Sequence, residues 1–359
     1  MIKSRLEAVR ALLAEQGADA VVVTKYVNLH YFSGFRGDDT TLVISRDKAA
    51  LITDNRYTEQ AGQQAPVFEI IEQKDGLLSK TAEVVKSFGC KKVAFEGNAL
   101  IYDDFQKLTE LLEGVEFKTA MHLDKLREIK DAEEISYIRK ACEIVDKAFA
   151  GVLPFIRPGV TELAIAARLE NAMRENGSEK PSFTTIVASG LRGSLPHGIA
   201  TDKVIEAGEF VTMDFGAMYQ GYCSDITRTI CVGPASEKQR FIYGKVLEAQ
   251  KMALNLIKPG AAGKEVDQAV REALDKDDLG QYFGHGLGHS LGLEIHESPR
   301  LSRKSTCNDL RPGMLVTDEP GVYIPGWGGL RIEDTVLVTE TGSEALTRAN
   351  KEFIEIPLN

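Results

Sequence analysis

Two stretches of this chain repeat each other, and that repeat limits the folds open to it. Residues 156–159 read IRPG and residues 257–260 read IKPG, 101 residues further on. Each follows a long amphipathic pattern and precedes another, TELAIAARLENAMRENG in the first copy and GKEVDQAVREALDKDDLG in the second. Downstream, AGEFVTMDFG (207–216) matches RPGMLVTDEPG (311–321), with Gly208 against Gly313. Two copies are too few for a solenoid. They predict a duplicated α+β half, two helices plus strands, folded about an internal pseudo-two-fold axis.

The repeat also aligns acids that lie inside apolar runs. Asp214 in EFVTMDFGAMYQGYC falls on Glu319, and Asp225 in SDITRTICV falls on Glu333 in IEDTVLVTE. An unpaired buried carboxylate is costly or gives up its charge, so each of these needs a partner. The segment MDFGAMYQGYCSD reads as a β-hairpin turning at Tyr219–Gln220. Such a turn sets Asp214 directly opposite Asp225, with Cβ atoms about 4.5–5.5 Å apart. Carboxylates that close repel one another unless a cation lies between them. For any one acid, pairing with Arg228 or Arg331 would be sufficient. Four at equivalent positions form a cage for more than one divalent metal, and paired metals are a hydrolytic device.

Histidines support that reading. Four of the six lie in the second part of the chain: His197 in SLPHG, then His285, His289 and His296 in GHGLGHSLGLEIHESP. Flanking glycines let the backbone come close and leave room for a ligand or metal. The spacing does not match H-E-x-x-H, so a helix-borne single-zinc protease is excluded.

The remaining composition narrows the class. The chain has 359 residues, 43% hydrophobic and 27% charged, which predicts a soluble protein of two domains or of one large domain with an appendage. A formal net charge of −10 argues against nucleic acid or an anionic membrane surface as partner. Cys90, Cys142, Cys223, Cys231 and Cys307 are odd in number and scattered, as expected of reduced thiols in a cytoplasmic protein. The N-terminal MIKSRLEAVRALLAEQGADA carries charges throughout and lacks the apolar stretch of a signal peptide. No run of apolar residues is long enough to span a membrane.

Along the chain, residues 1–122 alternate helix and strand. Helices are expected near 3–16, 57–63, 76–88 and 102–113, and strands at AVVVT, in TTLVISRDKAALITD and at KKVAFEG. This is an α/β domain. The charged stretch at 123–132 is taken as a linker, and residues 133–359 as the duplicated domain. Asp131 followed by Glu134 is a capping box that starts its first helix.

Taken together, LPHG, MDFGAMYQGYCSDITRT, GHGLGH, HESP and TDEPGVYIPGWGGLRIED resemble the motifs of the pita-bread-fold dimetal peptidases. These comprise aminopeptidase P, prolidase (Xaa-Pro dipeptidase) and methionine aminopeptidase. The resemblance covers essentially the whole chain and implies an α+β pita-bread catalytic domain, itself two pseudo-symmetric halves. It implies Asp214, Asp225, His289, Glu319 and Glu333 as ligands of two divalent ions. Asp225 and Glu333 would bridge the ions, Asp214 would bind one, and His289 with Glu319 the other. Four carboxylates and one imidazole suit Mn²⁺, with Co²⁺ or Zn²⁺ as alternatives. A hydroxide between the ions would attack the amide, and Glu319 would shuttle the proton to the leaving nitrogen. His197 and His296 would donate hydrogen bonds to substrate carbonyls. His285 would line the pocket or orient a neighbour, and Arg331 and Tyr323 would steady the carboxylates beside the substrate.

FSGFRGDDTTLVIS and ALITDNRYTEQA resemble the cap domain of creatinase/prolidase N-terminal type, which methionine aminopeptidases normally lack. In HESPR, Arg300 stands four residues after His296, where similar short prolidases bind the free carboxylate of a dipeptide. The expectation is therefore a cytoplasmic Xaa-Pro dipeptidase acting on proline-containing dipeptides or short peptides, for which the resemblance also implies a homodimer. Aminopeptidase P, releasing the N-terminal residue of longer Xaa-Pro peptides, is the alternative. A non-catalytic relative and the metal-free creatinase are disfavoured because all five ligand positions are intact. Trp327, in IPGWGGL, either shapes the pocket or packs its loop.

Overall fold

The computed structural model describes residues 1–358, in two compact units that part between Arg127 and Glu128. The first unit runs α1 (Ile2–Glu15), β1 (Ala20–Val23), α2 (Tyr26–Ser33), β2 (Thr41–Ser45), β3 (Ala49–Thr53), α3 (Thr58–Gln64) and β4 (Glu69–Glu72). It continues through α4 (Leu77–Ser87), β5 (Lys92–Glu96), α5 (Tyr102–Leu111) and β6 (Glu116–Met121). Its strands form one mixed sheet in the order β4-β3-β2-β1-β5-β6. Val84 and Val85 of α4 and Leu108 and Leu112 beside them pack on Val22, Val43, Ile52 and Val93 of that sheet. Strands β1 to β3 are nearly continuous apolar runs, as a sheet covered on both faces requires. The α/β reading of this unit therefore holds, although α2, β4 and β6 were not among the expected elements. Among the described residues no helix is long and apolar enough to cross a membrane.

The second unit repeats one pattern twice. The first half has α6 (Ala132–Val152), α7 (Glu162–Glu175), β7 (Ile186–Ser189), β8 (Phe210–Phe215), β9 (Met218–Tyr219), β10 (Tyr222–Cys223) and β11 (Ile226–Val232). The second has α8 (Glu237–Leu256), α9 (Gly263–Asp275), β12 (Gly288–Ser290), β13 (Glu297–Leu301), β14 (Leu315–Asp318), β15 (Gly321–Ile324), β16 (Gly328–Arg331) and β17 (Asp334–Val338). Strands β18 (Ser343–Ala345) and β19 (Glu355–Ile356) follow. The sheets are ordered β19-β11-β8-β7 and β14-β17-β18, with β9/β10, β15/β16 and β12/β13 as short ribbons. Helix α6 begins at the expected capping box: Asp131 accepts from the amides of Glu133 and Glu134 at 3.0 Å each, and Glu134 returns the bond at 2.9 Å.

Backbone details show the duplication most directly. Gly159 and Gly260 have φ of +90° and +84°, and Gly208 and Gly313 have +84° and +86°. The amide of Gly159 donates to Ile205 O and that of Gly260 to Leu310 O; those of Gly208 and Gly313 reach Val232 O and Val338 O. Left-handed turns at Gly159 and Gly260 link the two helices of each half, and those at Gly208 and Gly313 lead into β8 and β14, in the same way in both halves.

Alternation along the strands decides where the acids go. Val211, Met213 and Phe215 of β8 and Ile226 and Ile230 of β11 join Val145, Phe149, Ile165 and Leu169 in one core. Val316, Val336 and Val338 join Tyr243, Val246 and Val270 in the other. Residues on the opposite faces, Thr212, Asp214, Thr227, Thr229, Thr317 and Thr335, are directed away from the helices. The expected hairpin register is corrected here. Strand β11 sets Thr227, not Asp225, opposite Asp214, and Tyr222 pairs with Tyr219. The turn lies at Gln220–Gly221, with φ of +51° and +80°. A two-residue hairpin turn needs positive φ at both central positions, and Gly221 can supply one where Tyr219 cannot without strain. Asp225 is thus a diagonal neighbour of Asp214 on the same face.

The glycine pairs give a stability prediction. Gly208→Ala should cost about 1–2 kcal/mol from its left-handed backbone alone. Gly313→Ala should cost more, because a Cβ there would lie 2.9 Å from Ile129 Cγ2 and 3.1 Å from Lys130 O, whereas nothing lies within 4 Å at Gly208. Urea midpoints of the two variants should rank in that order; equal midpoints would contradict the packing argument.

Candidate metal centre

The polar faces of the two hairpins meet around a cavity of about 600 Å³. Asp214, Asp225, His285, His289, Glu319, Arg331 and Glu333 line it, with His197, His296 and Arg300. Hydrogen bonds lock the hairpins together beneath it. Thr335 Oγ1 donates to Asp225 O at 2.8 Å, and the Glu333 amide to Thr227 O at 3.1 Å. Thr227 was absent from the sequence reading. Its hydroxyl donates to Glu333 Oε2 at 2.6 Å and accepts from Arg331 Nε at 2.9 Å. Only the register, by placing it opposite Asp214, gives it that role.

Asp214, Glu319 and Glu333 are each braced on one oxygen. Arg331 Nη2 donates to Asp214 Oδ2 at 2.6 Å, and Thr317 Oγ1 donates to Glu319 Oε1 at 3.0 Å. Asp214 Oδ1 and Asp225 Oδ1 are buried with no hydrogen-bond partner among the described residues. His289 Nδ1 lies 3.1 Å from Ser290 O, to which it donates, so Nε2 carries the lone pair. That lone pair stands 3.6 Å from Asp225 Oδ2 and 3.5 Å from Glu319 Oε1, oxygens that also can only accept when ionised. Asp225, His289 and Glu333 offer ligand atoms within 4.8 Å of one another, and all three residues are buried.

This arrangement has acceptors facing acceptors. Burial and then the charge of Glu333 push the Asp225 carboxyl well above the usual range. Burial and Glu319 do the same to Glu333, and burial pushes Glu319 up to about 7. Burial raises Asp214 too, despite the Arg331 guanidinium beside it. Burial also holds His289 neutral, down at about 3. A set of oxygen-rich donors with orphaned lone pairs, crowded until they repel, fits divalent cations.

The remaining expected residues divide into two groups. His197, His296 and Arg300 are exposed at the cavity wall, and the His289 and His296 rings lie 4.3 Å apart. His285 is committed inward. Arg331 Nη1 donates to Tyr323 Oη at 2.6 Å, that hydroxyl donates to His285 Nε2 at 2.8 Å, and His285 Nδ1 donates to Gly286 O at 2.8 Å. Tyr323 does not line the cavity but sits behind Arg331, because its hydroxyl is taken up in this relay. Trp327 lies edge-on against Phe210, with ring centroids 6.0 Å apart, and so packs its loop, half-buried, against the core. Phe183, Ile186, Ile199 and Ile295 supply an apolar wall that no polar motif in the sequence marks.

Known proteins share this architecture. Residues 136–340 match the model of metallopeptidase family M24, and residues 5–129 that of the creatinase/prolidase N-terminal domain. The solved Xaa-Pro dipeptidase from Bacillus anthracis is 45% identical, with a TM-score of 0.96 over 99% of this chain and 100% of that one. The Xaa-Pro dipeptidase of Pyrococcus furiosus is 43% identical over 98% of this chain and 100% of its own. The X-Pro aminopeptidase structure from Thermotoga maritima is 38% identical, with a TM-score of 0.90 over 95% and 98% of the two chains.

Asp214→Asn keeps an acceptor for Arg331 but removes a charge from the cage. The fold should persist by circular dichroism, while bound metal measured by elemental analysis falls and peptidase activity drops at least about 100-fold. Full activity with normal metal content would remove Asp214 from the site.

Proposed function

The chain belongs to metallopeptidase family M24, and on that premise we propose that it hydrolyses the Xaa-Pro bond of dipeptides. The observation that carries this reading is the cavity itself, where five crowded acceptors lie beside one exposed guanidinium, Arg300. Asp214, Asp225, His289, Glu319 and Glu333 would hold two divalent ions, with Mn²⁺ favoured by the four carboxylates. When bound, such ions supply Lewis acidity to the scissile carbonyl and make water reactive near neutral pH.

The chain's own groups do the rest. Arg331 and Thr227 hold Asp214 and Glu333 in place, so that the cage is formed before substrate arrives. His197 and His296, exposed on the wall, donate hydrogen bonds to the substrate carbonyl as it gains negative charge. Glu319 carries the proton to the leaving nitrogen. Arg300 stands opposite His289 in the β12–β13 ribbon and receives the free carboxylate of the proline. The apolar wall of Phe183, Ile186, Ile199 and Ile295 accommodates the rigid ring and the residue before it. The protein acts as a homodimer in the cytoplasm, a compartment consistent with five unpaired cysteines.

A second reading, aminopeptidase P, is favoured by the likeness to the Thermotoga maritima X-Pro aminopeptidase. Kinetics on Ala-Pro and Ala-Pro-Ala separate the two. The dipeptide should be the better substrate, and Arg300→Leu should raise its KM about tenfold or more while changing that of the tripeptide little. Turnover of the tripeptide alone would replace the first reading with the second. EDTA should abolish activity and Mn²⁺ restore it; activity that survives metal removal would sink both.

A further inference from the structure

After strand β7 the chain makes a short 3₁₀ turn, Gly190–Ser194, and then runs irregularly to Thr201, carrying His197 over the cavity. Leu191, Leu195 and Ile199 on this loop are exposed, so apolar packing does little to fix it. Both of its ends nevertheless converge on one carboxylate. Glu162, in the first turn of α7 and fully buried, accepts from Ser189 N and Oγ at 2.8 Å each. It also accepts from Thr201 Oγ1 at 2.9 Å and Thr201 N at 3.2 Å. Arg192 Nη1 donates to it at 2.8 Å, and Arg192 Nη2 reaches into the loop to Ile199 O at 2.8 Å.

Helix α7 does not need this acid as a cap, because the Thr161 side chain already accepts from Ala164 N. The second half of the fold has the same device. Buried Asp267 of α9 accepts from Leu287 N at 2.9 Å and pairs with Arg271, which donates to Phe283 O and His285 O. Each half thus carries, on its second helix, a buried acid that clamps a histidine-bearing loop through an arginine, which comes from the loop itself in the first half (Arg192) and from the helix in the second (Arg271).

We infer that Glu162, together with Arg192, is a positioning residue that sets the placement of His197 at the substrate and touches neither substrate nor metal. This inference rests on the reading of His197 as a substrate contact. A misplacement of about 1 Å at a reacting group can cost about 100-fold in rate, which is the scale of effect expected.

The test compares E162Q, R192L, H197A and the doubles E162Q/H197A and R192L/H197A. All are loaded with Mn²⁺ and measured for kcat/KM on Ala-Pro, metal content and thermal midpoint. E162Q and R192L should each lower kcat/KM about 10- to 100-fold with metal content unchanged. On the H197A background either change should matter by no more than about twofold, because the contact it positions is already gone. Arg192 is partly exposed, so R192L decides the matter if E162Q does not fold. Equal losses on both backgrounds, or loss of metal, would overturn the inference and make the pair a general support of the fold. Wild-type kcat/KM in H197A would instead overturn the reading of His197, and the inference with it.

Discussion

Four carboxylates, Asp214, Asp225, Glu319 and Glu333, are driven together where burial disfavours their charged forms, and they repel one another. The protein only half relieves this. Arg331 neutralises Asp214, and Thr227 and Thr317 each give one hydrogen bond to Glu333 and Glu319. His289, which could have served as a cation, is held neutral by burial and turns a lone pair inward. Stability alone would favour apolar residues or complete ion pairs at these positions. The incomplete neutralisation is intelligible as a site whose missing positive charge comes from bound ions.

Of two neighbouring acids, Asp318 and Asp334, the second shows that the polypeptide can neutralise a carboxylate when its geometry calls for it. Asp318 precedes Glu319 and Asp334 precedes no cavity residue but follows Glu333, so strand alternation turns both toward α8. There Gln250 donates to both, while Arg228, Lys351 and Thr347 converge on Asp334. Burial pushes Asp318 well above the usual range, but Arg228 and Lys351 hold Asp334 below it. Glu333 and Asp334, one residue apart, thus meet opposite fates, Asp334 braced by cations on the helix side and Glu333 left open on the cavity side. Removing a partner from a buried pair of this kind costs about 3–5 kcal/mol, so the helix-side network anchors the strands that carry Glu319 and Glu333.

The repeat made the duplicated half legible because it is written in residues with a backbone requirement. Gly159, Gly208, Gly260 and Gly313 all take left-handed φ, which few other residues tolerate. The acids were legible for a related reason, since a charge in an apolar run must be compensated. The hairpin register was not. Tyr219–Gln220 and Gln220–Gly221 differ by one step in turn position, and only the positive φ at Gln220 and Gly221 distinguishes them. That step moved Asp225 from opposite Asp214 to its diagonal and brought Thr227 into the site. Short polar strands such as β4 and β6 were missed because neighbouring strands, more than their own pattern, hold them in the sheet. Glu162 escaped notice for another reason. It reads as an ordinary first-turn helix acid, and its five donors come from residues 27 to 39 positions away.

The division of the cavity into polar and apolar walls bears on selectivity. Contacts with Phe183, Ile186, Ile199 and Ile295 discriminate weakly, because one methylene more or less in an apolar pocket is worth only about 1–3 kcal/mol. A charge-assisted, bidentate bond to a guanidinium discriminates more strongly, so the charged end of a substrate is read more sharply than its side chains. Arg300 is the one guanidinium at this wall not already committed to a cavity carboxylate among the described residues, since Arg331 is bound to Asp214. On the proposed role of Arg300, a longer peptide would place an uncharged amide where the dipeptide has its carboxylate and would forfeit a charge-assisted bond. Substrate length should therefore be controlled by electrostatics, while the residue before proline is left comparatively free.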